Sequence, residues 1–114
     1  MVCMGTDYKE LRVWQDARIL VRDIYRLTHT LPKEEVFGLV SQMRRAAVSV
    51  PSNIAEGKGR HSQRELVQFL YRARGSLLEL ETQVLIAYDL GYITESVSTE
   101  IAHQSRRLPA RLMG

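Results

Sequence analysis

Cysteine is almost missing from this chain: Cys3 stands alone, so no internal disulfide can staple the fold. Prolines number only 3 and glycines 7 among 114 residues, too few turn-formers for an all-β sandwich of many short strands. Aromatics are sparse, at 7%. No apolar run approaches the roughly 18 residues of a membrane span, and no basic, then apolar, then small-residue pattern opens the chain as a secretion signal would. These absences lead us to expect a soluble, cytoplasmic protein with no membrane partner. What is present is ordinary for a packed domain. Hydrophobic residues make up 45% and charged residues 25%, which excludes disorder, and the length suits a single domain spanning residues 1–114.

Hydrophobic spacing sets the fold class. Val13, Ala17, Leu20, Ile24, Leu27 and Leu31 recur at alternating steps of four and three. Val36, Val40, Met43, Ala47, Val50 and Ile54 repeat the steps, as do Leu66, Leu70, Ala73, Leu77, Leu80, Val84 and Ala87. A sparser row holds Val97, Ile101, Leu108 and Leu112. Strands alternate with period two, so the prediction is all-α. Helices are expected over about 10–29, 33–56, 63–90 and 95–108. The short connections imply an antiparallel up-down-up-down four-helix bundle.

Punctuation agrees with these bounds. Pro32 suits the first turn of a second helix, and Ser62 with Glu65 has capping-box spacing at the start of a third. Gly91 suits a left-handed C-terminal cap with Tyr92 folding back, and Thr94 suits an N-cap. Pro51 falls inside the second helix, where it removes the hydrogen bond to the Ala47 carbonyl and is expected to kink the chain. Ser49, Ser52 and Asn53 surround it, able to repair the ladder or reach a neighbour. Gly75-Ser76 suggests a close helix approach.

Charge is unevenly distributed beneath a net +3. Residues 44–74 carry Arg44, Arg45, Lys58, Arg60, Arg64, Arg72 and Arg74 against Glu56 and Glu65. Residues 75–100 carry Glu79, Glu81, Asp89, Glu95 and Glu100 with no base. Arginine's planar fork pairs phosphate in bidentate fashion, so Lys58, Arg60, Arg64, Arg72 and Arg74 are candidate contacts to RNA or DNA. A competing reading makes Arg44 or Arg45 an internal ion-pair partner of Glu79, across a turn near residue 60. A second apolar row flanks the core rows: Trp14 and Tyr25 on the first helix, Tyr71, Leu78 and Leu85 on the third. It is either a wide core face or a surface buried against another copy of the chain. The second is favoured, because an isolated small bundle exposes little apolar area. Unlike charged surfaces then allow copies to meet head to tail and close into a ring.

Catalytic chemistry finds little footing. Cys3 has no histidine near it in sequence. Glu100 and His103 form one Glu-x-x-His pair where a di-metal carboxylate bundle needs two, plus two further glutamates. Gly57-Lys58-Gly59 lacks the phosphate-loop order. Neither a metal site nor a catalytic residue is expected, and the chain is read as a non-enzyme.

Three strings resemble a known family. They are Leu11-Arg12-Val13-Trp14-Gln15-Asp16-Ala17, the run from Gly38 through Ser52-Asn53-Ile54-Ala55-Glu56-Gly57, and Arg74-Gly75-Ser76-Leu77-Leu78-Glu79-Leu80-Glu81-Thr82-Gln83. Over roughly residues 8–105 the chain resembles the bacterial four-helix-bundle proteins encoded in intervening sequences of 23S rRNA genes. The accessory variability proteins of diversity-generating retroelements are similar to these. The resemblance implies a homo-oligomer, a pentameric ring of up-down bundles, with a basic surface toward nucleic acid. In the retroelement relatives it also implies a nucleic-acid enzyme, a reverse transcriptase, as partner. It implies no enzymatic activity and no cofactor. Pro109 departs from the family pattern and is expected to interrupt the fourth helix. A protein-interaction scaffold whose basic residues serve subunit contacts is the alternative reading.

Overall fold

The computed structural model describes residues 7–113, with side chains described through Leu108; Cys3 and the side chain of Leu112 lie outside the described part. Four α-helices, and no strand among the described residues, make up the fold: α1 Arg12–Thr28, α2 Leu39–Lys58, α3 Gln63–Asp89 and α4 Glu95–Met113. They form a helical bundle in which α1 packs on α2 and α4, and α3 packs on α2 and α4. No helix among the described residues is long and apolar enough to cross a membrane.

The four rows of heptad spacing supply the core. Ala17, Leu20 and Ile24 of α1 meet Met43, Ala47, Val50 and Ile54 of α2, Ala73, Leu77, Leu80 and Val84 of α3, and Ile101 and Leu108 of α4. Val36 is an exception, remaining exposed. The second helix begins at Leu39, six residues later than its spacing suggested, because Pro32 opens a separate 3-10 turn over Lys33–Glu35. Val36 and Phe37 then sit in the turn before α2 rather than on its inner face. The fourth helix runs on through Pro109 to Met113, contrary to the expected interruption. A proline deletes one ladder bond, and the Ala110-Arg111-Leu112 that follow are strong helix formers.

Caps fix where the helices turn. Ser62 Oγ accepts from the Glu65 amide at 3.1 Å, and Thr94 Oγ1 accepts from the Val97 amide at 3.2 Å. Gly91 takes φ +79°. Its amide then bonds the Tyr88 carbonyl while the Tyr92 amide bonds that of Ala87, both at 2.9 Å, the two-bond closure that a left-handed glycine permits.

Glu35 ties two ends of the bundle together. Its Oε1 accepts from the Leu39 amide at 3.1 Å, capping α2 in place of an ordinary N-cap. Its Oε2 accepts from the Tyr92 hydroxyl at 2.9 Å. A Cβ on Gly38 would stand 3.0 Å from Glu35 Oε1, so glycine keeps that carboxylate in place.

The seam between α2 and α3 is tight. A Cβ on Gly57 would lie 2.8 Å from Phe69 Cβ and 3.2 Å from Leu66 Cδ1. Earlier on α2, the Ser49 and Ser76 hydroxyls bond each other across the seam. Ser49 also donates to the Ala46 carbonyl, Ser52 to Val48 and Asn53 to Ser49. The polar residues around Pro51 thus bind α2's own carbonyls and reach α3. Of the Gly75-Ser76 pair, only Ser76 serves close approach; a Cβ on Gly75 would meet open space.

Two outcomes follow. Gly57→Ala should destabilise the fold by about 1–3 kcal/mol through overpacking, whereas Gly75→Ala should stabilise it by about 1 kcal/mol through helix propensity; denaturant melts of both variants check the contrast. The second concerns Tyr92, whose hydroxyl is held above its ordinary pKa of 10.0 by donation to Glu35, then by desolvation and by the charge of Glu35 and Glu34. A raised folded value means this contact's stabilisation is full below pH 10 and is lost as pH rises past it. Phenolate absorbance should show a late-titrating tyrosine that Tyr92→Phe removes.

Candidate nucleic-acid interface

Of the cations predicted to meet phosphate, Lys58, Arg60 and Arg64 lie at the turn from α2 to α3. α2 ends at Lys58, and Gly59 closes it by donating to the carbonyls of Ala55 and Glu56. That brings Arg60 back over both helices. Its Nη2 pairs with Glu56 Oε2 at 2.9 Å, and its guanidinium lies 4.7 Å from the centroid of the Phe69 ring. Arg72, one turn further along α3, lies 4.6 Å from the same centroid. Phe69 is consequently almost buried, with two cations against its π system. Its role escaped the heptad reading because 69 falls off the core row. The only trace of it in sequence is the i, i+3 spacing to Arg72, which places the two side chains on one helix surface.

The five candidate cations do not form one patch. Arg60 and Arg72 converge at Phe69, and Lys58 is half-buried at the end of α2. Arg64 is exposed on the first turn of α3. Arg74 points to the α4 side, where it lines a groove with Leu77, Leu78, Glu81 and Arg106. Arg106, not singled out by sequence, is held there by Glu81 at 3.1 Å. No ion pair among the described residues engages Lys58, Arg64, Arg72 or Arg74.

The pairing of Arg44 or Arg45 with Glu79 is not formed among the described residues. With Ser49 opposite Ser76 and Gly57 opposite Leu66 and Phe69, Arg44 and Arg45 stand level with Glu81 and Leu80, so Glu79 is near in height and it is the direction of the side chains that separates them. Glu79 is exposed on α3. Arg44 turns instead to α1: its Nε donates to Thr28 Oγ1 at 2.9 Å, and its guanidinium lies 4.4 Å from the Tyr25 ring centroid. Thr28, itself buried, donates its hydroxyl to the Ile24 carbonyl at 2.8 Å. Arg45 lines, with Arg44, a groove between α1 and α2.

Residues assigned to a subunit surface separate in the same way. Tyr71, Leu78 and Leu85 are 54%, 55% and 50% exposed, and their seven-residue spacing lays them along one outer line of α3. Tyr25 sits apart, in the α1–α2 groove. Trp14 is half-buried, meeting Tyr8 edge-on at 5.2 Å and Arg18 at 5.0 Å. No group of three or more His, Cys, Asp or Glu among the described residues is placed to hold a metal ion.

Arg44→Ala should cost about 1–2 kcal/mol by stranding the buried Thr28 oxygen, while Glu79→Ala should stay within about 0.5 kcal/mol of the parent. Urea titration of the two variants reads the difference.

No curated protein matches this chain. Among solved structures, it is similar to a protein of unknown function from the S23 ribosomal protein family of Bacteroides thetaiotaomicron. The TM-score is 0.82 at 22% sequence identity, over 89% of this chain and 94% of that one, which establishes a shared helical fold. The family described as 23S rRNA-intervening sequence protein matches residues 9–114. Spanning nearly all of the sequence, that match shows that the chain belongs to the 23S rRNA-intervening sequence protein family.

Proposed function

We propose that this protein is a non-enzymatic, cytoplasmic homo-oligomer that binds nucleic acid through its arginine-rich surface. The observation that carries the reading is a set of cations, Lys58 and Arg64 at the α2–α3 turn and Arg72 and Arg74 further along α3, that no carboxylate neutralises in an ion pair among the described residues. Phosphate is an anion that guanidinium groups pair in bidentate fashion and that the lysine ammonium meets as a point charge. The same proposal takes the bundle as up-down-up-down. In support, Thr28 near the end of α1 meets Arg44 near the start of α2, and Gly57 near the end of α2 meets Leu66 near the start of α3. It also takes α2 as bent at Pro51, where the chain lacks the donor to Ala47.

Self-association rests on the Tyr71, Leu78 and Leu85 line of α3, which leaves apolar area in water unless a second copy covers it. A ring of five is the assembly that the family resemblance implies. The same line favours the second reading, a protein-interaction scaffold, for example an accessory to a nucleic-acid enzyme, in which the arginines serve subunit contacts.

The two readings separate on salt and on mass. Nucleic-acid binding should weaken steeply as salt rises, and replacing Arg64 and Arg74 by alanine should lower the slope of log K against log salt by about one for each phosphate no longer neutralised. The oligomer's mass, measured by light scattering, should stay unchanged in that variant. Absence of binding to RNA or DNA at low salt rejects the first reading. A dissociated assembly shows that the arginines hold subunits together.

A further inference from the structure

At the end of α2 remote from the arginine turn, α1 and α2 enclose a groove of about 740 Å³. Phe37 stands at its edge, on the turn that precedes α2, and is 96% exposed. A phenyl ring in that state offers both faces to solvent, and no described residue packs on it. Tyr25 and Val48 add apolar floor, with Lys33, Arg44 and Arg45 around them and His29 beside. Among the described residues no carboxylate lines the groove; the exposed Glu34 lies outside it, and Glu35 is taken up by Leu39 and Tyr92. Arg44 is already occupied in holding Thr28 and the Tyr25 ring. Lys33 and Arg45 form no ion pair among the described residues.

An open aromatic face next to uncompensated cations matches a ligand that is flat, apolar on its faces and negatively charged along its backbone. A nucleotide strand meets this description only when unpaired, because bases inside a duplex have both faces covered by their neighbours. We propose that the groove binds a single-stranded stretch of nucleic acid, with one base stacked on Phe37 and backbone phosphates at Lys33 and Arg45. An acidic amphipathic protein helix is the competing occupant. It would rest on Tyr25, Val36, Phe37 and Val48 without needing a ring open on both faces, which is the feature that favours a base. The inference rests on the nucleic-acid reading above but on different residues, the nearest of them, Arg45, about 22 Å along α2 from Arg60 at the helical rise of roughly 1.5 Å per residue.

Fluorescence anisotropy at low salt tests it, using a labelled RNA single strand of about 12 nucleotides, within the span that such stacking grooves bind, the same sequence as a blunt duplex, and an abasic strand of equal length. Phe37→Ala should weaken single-strand binding roughly 5- to 150-fold, the range for losing one stacked base. Duplex binding should be unchanged, Phe37→Trp should restore the single strand, and the abasic strand should bind wild type and Phe37→Ala alike. An unchanged circular-dichroism melt confirms the fold of the variant, which alters an almost wholly exposed side chain. If wild type binds the strands and Phe37→Ala binds the single strand equally well, this inference is overturned while the broader reading stands. If Phe37→Ala keeps its affinity but loses assembly mass, the groove's occupant is another copy of the chain. If wild type binds the duplex but not the single strand, this inference alone falls; if it binds neither these RNAs nor DNA strands of the same sequence, both readings fall.

Discussion

Gly57 brings α2 so near α3 that one added methyl would stand 2.8 Å from the Cβ of Phe69, and the Ser49–Ser76 hydroxyl contact continues that seam. Much of the surrounding structure depends on this approach. It sets the register between the two central helices and brings Arg60 within reach of the Phe69 ring. The Ser52-Asn53-Ile54-Ala55-Glu56-Gly57 string acquires a physical meaning here. Ser52 and Asn53 bond carbonyls of their own helix beside Pro51, Ile54 fills the core, Glu56 holds Arg60, and Gly57 permits contact. This string, one of those that carry the family resemblance, is in this chain largely a device for packing α2 on α3.

The seam also governs how charge is distributed. Arg44 turns to the end of α1 rather than to Glu79, and there it serves a buried threonine and an aromatic ring. Glu81 takes Arg106 from α4. Arg60 and Arg72 meet at one phenyl ring. Arginines that look alike in sequence therefore divide into those whose charge a carboxylate or a buried oxygen takes up, such as Arg60, Arg106 and Arg44, and those left without such a partner, and the second kind is available to an outside anion.

The core and the caps were largely legible in the residues. Ala17, Leu20, Met43, Val50, Leu80 and Val84 announce themselves by spacing, because a helix must bury one stripe. Ser62, Thr94 and Gly91 announce helix ends through short-range backbone bonding that operates within a few residues. The misses share a cause. Val36 and the true start of α2 were hidden because Glu35, acting from the preceding turn, supplies the cap and is anchored in turn by Tyr92, 57 positions away. Gly75 and Ser76 look like one packing notch, yet adjacent helical residues point about 100° apart and only the second meets α2.

Local periodicity and capping, which act over one or two turns, determined by themselves that this chain is all-helical, with four helices and a recognisable core stripe on each. The register between α2 and α3, the pairing of each arginine and the exposure of Phe37 were decided only by tertiary structure. Those depend on distances between side chains far apart in sequence, and a shift of a single helical turn, about 5.4 Å along the axis, changes every partner.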